Sequence, residues 1–305
     1  MASDVVDWDL ATAVGRRLAP GGPDLSAQDT HRAVEQLREL AAEAVEPVRE
    51  RTALVAPVDG ARSAVVDRPT WVASNVAGFR VVLEPMLARM RERDNSLVTA
   101  IGSRVTALQL GGVLAYLSSK VLGQFEAFST SAGSPGRLLL VAPNIVATER
   151  ALDLVPRDFR LWVCLHEETH RVQFGAVPWL TEHLVTQIHQ YLALTDIDAG
   201  ELLRRLRAGA GAVSSAVSGR SGASLLDAAQ SPEQRELLDR LTAVMSLLEG
   251  HAEFVMDDVG PQVVPSVATI RDRFDARRRS PGTVDGLVRR LLGLDAKLAQ
   301  YADGA

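Results

Sequence analysis

The chain holds a single cysteine, Cys164, in 305 residues. That excludes an internal disulfide framework and any cysteine-rich zinc knuckle. Lysine is nearly as scarce: only Lys120 and Lys297 stand beside the arginines, a bias read as genomic composition rather than function. Aromatic residues make up 5%, so Leu, Val and Ala have to supply most of the packing. The formal net charge is −5, which argues against nucleic acid or an anionic membrane as the main partner. No run approaches the roughly 18 uninterrupted apolar residues of a membrane span. The N-terminal stretch MASDVVDWDLATAVGRRLAP carries its acids early and its arginines late, the reverse of a secretory signal. A cytoplasmic location is therefore expected.

What is present is an ordinary globular composition, 47% hydrophobic and 23% charged. Most of the chain carries helical periodicity, and the fold class expected is mainly α with a small β element. Helices are predicted over 5–18, 26–56 and from Asp67 onward, where Asp67 or Thr70 can act as cap and Pro85 kinks or interrupts the helix. A long apolar pattern covers 97–127, and Gly111-Gly112 inside it points to close packing against another helix. Leu138–Ala142 reads as a short buried strand stopped by Pro143-Asn144. Further helices are predicted from Pro156 to about Phe174 and from Pro178 to about Leu206. Residues 207–224 are small, polar and Gly-rich and read as a loop. Ser231-Pro232-Glu233-Gln234 is a capping-box start for a helix running to about Asp257, with Gly260-Pro261 ending it. The last helices are predicted over 265–279 and 283–301.

The chemistry is concentrated in Leu165-His166-Glu167-Glu168-Thr169-His170. Residues four apart on a helix lie about 40° apart around the axis and one turn along it. His166 and His170 can therefore aim two imidazoles at one ion, with Zn–N bonds of about 2.0–2.1 Å. Glu167 lies between them and can serve as general base toward a water at the metal. The chain has six histidines, so the pairing is rare by composition alone.

Zinc needs at least one more protein ligand. In the otherwise apolar stretch MSLLEGHAEFVMD (245–257), Glu249, Glu253 and Asp257 recur at i, i+4 and i+8 on one face. Burying carboxylates there is costly without a partner, and a dication is a suitable one. One frame makes Glu249 the ligand, with Glu253 accepting from a ligand imidazole N–H. The rival frame makes Glu253 the ligand with Asp257 behind it, and a third reading leaves all three as a solvated stripe. Gly250 is expected to let two helices approach closely. His251 lies about 200° around the helix from Glu249 and cannot share its ion. His183, His189 or Tyr191 could donate to a transition-state oxyanion, although surface or capping roles suit them as well. Cys164, two residues before His166, is expected to face away from the metal.

His166-Glu167-x-x-His170 with a downstream helical Glu resembles the Glu-type zincin metallopeptidases. More closely, DRPTWVASNVAGF (67–79), FRLWVCLHEETHRVQF (159–174), MSLLEGHAEFVMD (245–257) and VVPSVATIRDRF (263–274) resemble a mostly actinobacterial zincin-like family associated with biosynthesis of the deazaflavin redox coenzyme. The resemblance implies a single zincin-like helical domain over 1–305, with a helical N-terminal part to about 130 and a metal-site part from about 131. It implies Zn²⁺ held by His166, His170 and Glu249, Glu167 as catalytic base, and a hydrolase acting on a peptide or amide substrate. It also implies a further C-terminal helix beyond Ala305, over part of the cleft. Nothing in these residues binds a deazaflavin recognisably. The Leu138–Ala142 strand could align an extended substrate by edge pairing. The alternative function is a catalytically inactive, metal-stabilised helical module that binds a partner. An open metal position would mark the enzyme and a fourth protein ligand the structural site.

Overall fold

The computed structural model describes residues 5–56, 63–93, 97–128, 136–194 and 231–279. The Gly-rich stretch 207–224, the helix predicted over 283–301 and the extension of the Pro178 helix toward Leu206 lie outside the described residues. The element order is α1 (Trp8–Leu18), α2 (Ala27–Glu43), α3 (Val45–Thr52), β1 (Ser63–Val66), α4 (Arg68–Arg93), α5 (Leu97–Leu117), β2 (Gly123–Phe125), β3 (Leu138–Val141), α6 (Ala142–Ala151), α7 (Pro156–Ala176), α8 (Pro178–Ala193), α9 (Pro232–Val263) and α10 (Val267–Arg279). The fold is mainly α with one small sheet. No described helix is long and apolar enough to cross a membrane.

The sheet has the order β1-β3-β2, with β1 parallel and β2 antiparallel to β3. All four residues of β3 are buried, and strand alternation sends them to opposite sides. Leu140 joins a core built from α2, α3, α7, α9 and α10, whereas Leu139 and Val141 join a second core built from α1, α4 and α5. Because β3 is paired along both edges, the expected edge pairing of substrate with this strand is incorrect. Its backbone donors and acceptors already serve β1 and β2.

Several local predictions are corrected by tertiary context. The 26–56 helix divides at Ala44, three residues before Pro47, whose missing N–H and ring disfavour a continuous helix there. Leu37, Leu40, Ala44 and Val48 nevertheless share one buried face. The 97–127 helix stops at Leu117, and its tail becomes β2 by pairing with β3. Asn144 holds this exit: its Nδ2 donates to the Ser118 carbonyl (2.7 Å) and the Val121 carbonyl (2.6 Å), while its Oδ1 accepts from Arg68 Nε (2.7 Å). Pro143-Asn144 does more than end a strand. Pro143 sits in the first turn of α6, which sequence reading did not anticipate. The helix from Asp67 runs through Pro85 to Arg93, with Asp67 accepting from Thr70 N–H (2.8 Å). The capping box at Ser231 forms as predicted, but α9 continues past Gly260-Pro261 to Val263. Pro261 removes one bond of the ladder, the one its N–H would have made to the Asp257 carbonyl, and the helix ends two residues later.

The close packing expected at Gly111 is present. A Cβ there would stand 2.7 Å from the Ala11 carbonyl oxygen and 3.0 Å from Gly15 N, so α1 and α5 approach backbone to backbone. At Gly112 a Cβ would meet nothing within 4 Å. Gly111→Ala is therefore expected to destabilise the fold by about 1–3 kcal/mol, as overpacking against unyielding backbone does. Gly112→Ala is expected to stabilise it by about 0.5–1 kcal/mol through helix propensity. Urea denaturation of both variants checks this; equal midpoints would refute the close contact.

Candidate metal centre

Helix α7 carries the two histidines through the interior. It begins at Pro156, and Phe159, Leu161, Val163, Cys164, Leu165 and Val172 bury its apolar positions. Several of its polar positions are buried with partners. Arg160 donates to both carboxylate oxygens of Glu149 (2.9 and 2.6 Å) and to Gln36 Oε1 (2.5 Å). Glu168 pairs with Arg171, and Thr169 Oγ donates back to the Leu165 carbonyl at 2.8 Å. Asp158 accepts from Ser266 N–H at 2.9 Å, which ties the start of α7 to the turn before α10.

On this frame His166 and His170 stand edge to face, with centroids 4.7 Å apart and planes at 88°. Their Nε2 atoms are 3.2 Å apart. From α9, Glu249 brings Oε1 to 3.6 Å from His170 Nε2 and Oε2 to 3.7 Å from His166 Nε2. The register of α9 follows from Leu248, Ala252, Val255, Met256 and Val259, which are buried. A tetrahedral zinc with bonds of about 2.0–2.2 Å spaces its ligand atoms about 3.3–3.6 Å apart. The three observed separations, 3.2, 3.6 and 3.7 Å, lie within about 0.1 Å of that spacing, and two imidazoles with one carboxylate are a zinc donor set. Burial, then the neighbouring His170, pushes the His166 imidazole down to about 3. The ring is therefore neutral at neutral pH, which is the form that ligates a metal.

The three acids of α9 separate in space. Glu249 joins the two histidines in a cluster of ligating groups among the described residues. Asp257 pairs instead with Arg271 of α10 at 2.5 Å, and Glu253 is exposed. Gly250 does not mediate a close approach, because a Cβ there would meet open space.

Glu167 is 6% exposed. Burial, reinforced by the charge of Glu249, pushes its carboxyl up to about 8. Its seat is made by Gly123 at the start of β2: a Cβ on Gly123 would lie 2.6 Å from Glu167 Cδ and 2.7 Å from Oε1. The edge strand thus offers bare backbone where the carboxyl needs room. Proton affinity near neutrality, beside the ligand cluster, is what a general base needs.

The side chain that meets Nδ1 of a clustered imidazole is Gln173 rather than Glu253. Gln173 Oε1 lies 2.9 Å from His170 Nδ1, and its Nε2 lies 2.9 Å from the Leu248 carbonyl and 2.8 Å from His251 Nδ1. Sequence reading missed it; the available signal was its position three residues after His170, on the same helical face. Cys164 is fully buried, and burial first, then Glu167, raises its thiol well above the ordinary range. It is an inert packing residue. His189 Nε2 is engaged with the Val82 carbonyl at 2.9 Å and ties α8 to α4. His183 lies edge-on to Trp179.

No curated protein matches the chain. A solved structure from Chloroflexus aurantiacus, described as "a putative hydrolase with a novel fold", is similar: 30% identity, 95% of this chain and 81% of that chain covered, TM-score 0.64. A family model described as zincin-like metallopeptidase matches residues 6–305. The chain therefore belongs to the zincin-like metallopeptidase family.

Proposed function

We propose that this protein is a zinc-dependent hydrolase that cleaves a peptide or amide bond, with His166, His170 and Glu249 as metal ligands and Glu167 as general base. One observation carries the reading: three ligating groups converge at zinc spacing, and the next residue to one of them is a buried carboxyl with raised proton affinity. Three protein ligands are the number that leaves a position free for water or substrate, the mark of a catalytic rather than a structural site. The substrate class follows from this donor and base chemistry, not from the coenzyme association implied by the resemblance.

A bound Zn²⁺ supplies Lewis acidity and lowers the pKa of water toward about 7. The chain's own residues do the rest. Glu167 takes the proton from the attacking water and delivers it to the departing nitrogen. Its seat against Gly123 holds the carboxyl on one side of the ligand pair. His166, neutral through burial, keeps its lone pair available across the working pH range. Glu249 adds a negative charge to the site and is more exposed than either histidine.

Elemental analysis of protein purified without chelators is expected to give about one zinc per chain, lost on chelation. Glu249→Gln is expected to weaken zinc binding at least about tenfold, and Glu253→Gln to do less. The reverse order would move the third ligand to Glu253.

Glu167→Gln is expected to retain zinc and the fold while reducing turnover at least about 10²-fold on a substrate found by a peptide-library cleavage screen. Parental turnover in the variant would remove Glu167 from the mechanism. The raised carboxyl also sets a pH dependence. Between the ordinary value of 4.5 and about 8, the folded state binds the proton more tightly than the unfolded state, so stability falls as pH rises through that window. In metal-free protein, the parent is expected to lose at least about 1 kcal/mol relative to Glu167→Gln between pH 5 and pH 8, measured by urea unfolding. Parallel pH profiles would contradict a buried, raised Glu167.

A further inference from the structure

The proposed site has a hidden requirement in one of its ligands. A neutral imidazole carries one proton, and His170 can ligate through Nε2 only if that proton sits on Nδ1. Three fixed partners decide where it goes. The Leu248 carbonyl can only accept, so the Gln173 atom 2.9 Å from it has to be the amide NH₂. The other end of the amide is then Oε1, which can only accept, and it lies 2.9 Å from His170 Nδ1. The proton of His170 is thereby held on Nδ1, and the lone pair of Nε2 faces His166 and Glu249. His251 acts in the same sense. Its Nδ1, 2.8 Å from Gln173 Nε2, accepts the second amide proton and opposes rotation of the amide.

We infer that Gln173 is a positioning residue that fixes the ligating tautomer of His170, and that its own orientation is set by the Leu248 carbonyl and His251 Nδ1. The inference rests on the metal-site reading for its purpose, but not for its geometry. Gln173 is 4% exposed, so water offers little alternative partner for either end of its amide. Leu248 directly precedes Glu249, so one turn of α9 supplies both the third ligand and the carbonyl that orients the second one. Placement of α9 on α7 therefore assembles the ligand set and selects the protonation pattern together.

The test uses the full chain and two readouts. Long-range ¹⁵N–¹H correlation spectra of the metal-free protein report which nitrogen of His170 carries the proton. Competition with a chromophoric chelator reports zinc affinity. The parent is expected to show His170 protonated on Nδ1. Gln173→Leu, which removes the acceptor, is expected to give a mixture of tautomers and about a 10- to 100-fold loss of zinc affinity, the usual effect of losing such a partner. Gln173→Glu keeps an acceptor for His170 Nδ1 but sets its second oxygen against the Leu248 carbonyl; it is expected to retain the Nδ1 proton, whatever it loses in zinc affinity. A merely structural role for Gln173 would leave the tautomer unchanged in both variants. Nε2 protonation in the parent would overturn the inference, as would a tautomer and affinity unmoved in Gln173→Leu, or loss of the Nδ1 proton in Gln173→Glu. The parent spectrum decides even if Gln173→Leu does not fold. A parent that keeps the Nδ1 proton but takes up no zinc would refute the metal-site reading and leave the tautomer assignment standing.

Discussion

Helix α7 runs through the interior, and the polar groups it brings there are costly unless something other than water satisfies them. Arg160 meets Glu149 and Gln36, Glu168 meets Arg171, Asp158 meets the Ser266 amide, and Thr169 turns back to its own helix. Buried polar groups left unpaired cost on the order of 1–3 kcal/mol each, so these pairings fix the rotation of α7 about its axis. Two imidazoles on the same helix remain, with their Nε2 atoms 3.2 Å apart. One ring can donate its proton to the other at that distance; two bare lone pairs there repel unless a positive charge lies beside them. The arrangement is one that a cation completes.

The second helix of the site completes it in two ways. The apolar stripe of α9 packs on the core that holds α7, and that contact sets the height and rotation of Glu249. The same turn offers the Leu248 carbonyl to Gln173. β2 contributes from the other direction by leaving the Glu167 carboxyl a gap where a side chain would otherwise stand. This edge strand is itself held by β3, and Asn144 clamps the segment that leads into it. Apolar burial, sheet pairing and one amide network thus converge on a few ångströms of chemistry.

The histidine pair was legible in the sequence because its geometry is local: residues four apart on a helix share one face whatever surrounds it. Glu249 was legible as a candidate because isolated acids in an apolar helix stand out. Periodicity could not separate it from Glu253, since both occupy the same stripe and only the placement of α9 on α7 decides which one reaches the imidazoles. Gln173 and Gly123 were not legible, because a glutamine or a glycine acquires its role only from the neighbour it meets. The same reason covers β2 and α6. A three-residue strand exists through its pairing with β3, and Pro143 reads equally as a strand stop or a helix start. The mainly helical fold and the capping box at Ser231 rest on repeated or local signals and could be read directly.

The central claim is that His166, His170 and Glu249 hold one zinc ion with a position left open. X-ray absorption at the zinc edge measures that coordination shell directly. The account predicts four nitrogen or oxygen neighbours at about 2.0–2.1 Å, with multiple scattering from two imidazoles and no sulfur. Replacement of His170 by Ala is expected to remove one imidazole contribution. A sulfur neighbour at about 2.3 Å, or an imidazole count that does not change when His170 is replaced, would contradict it.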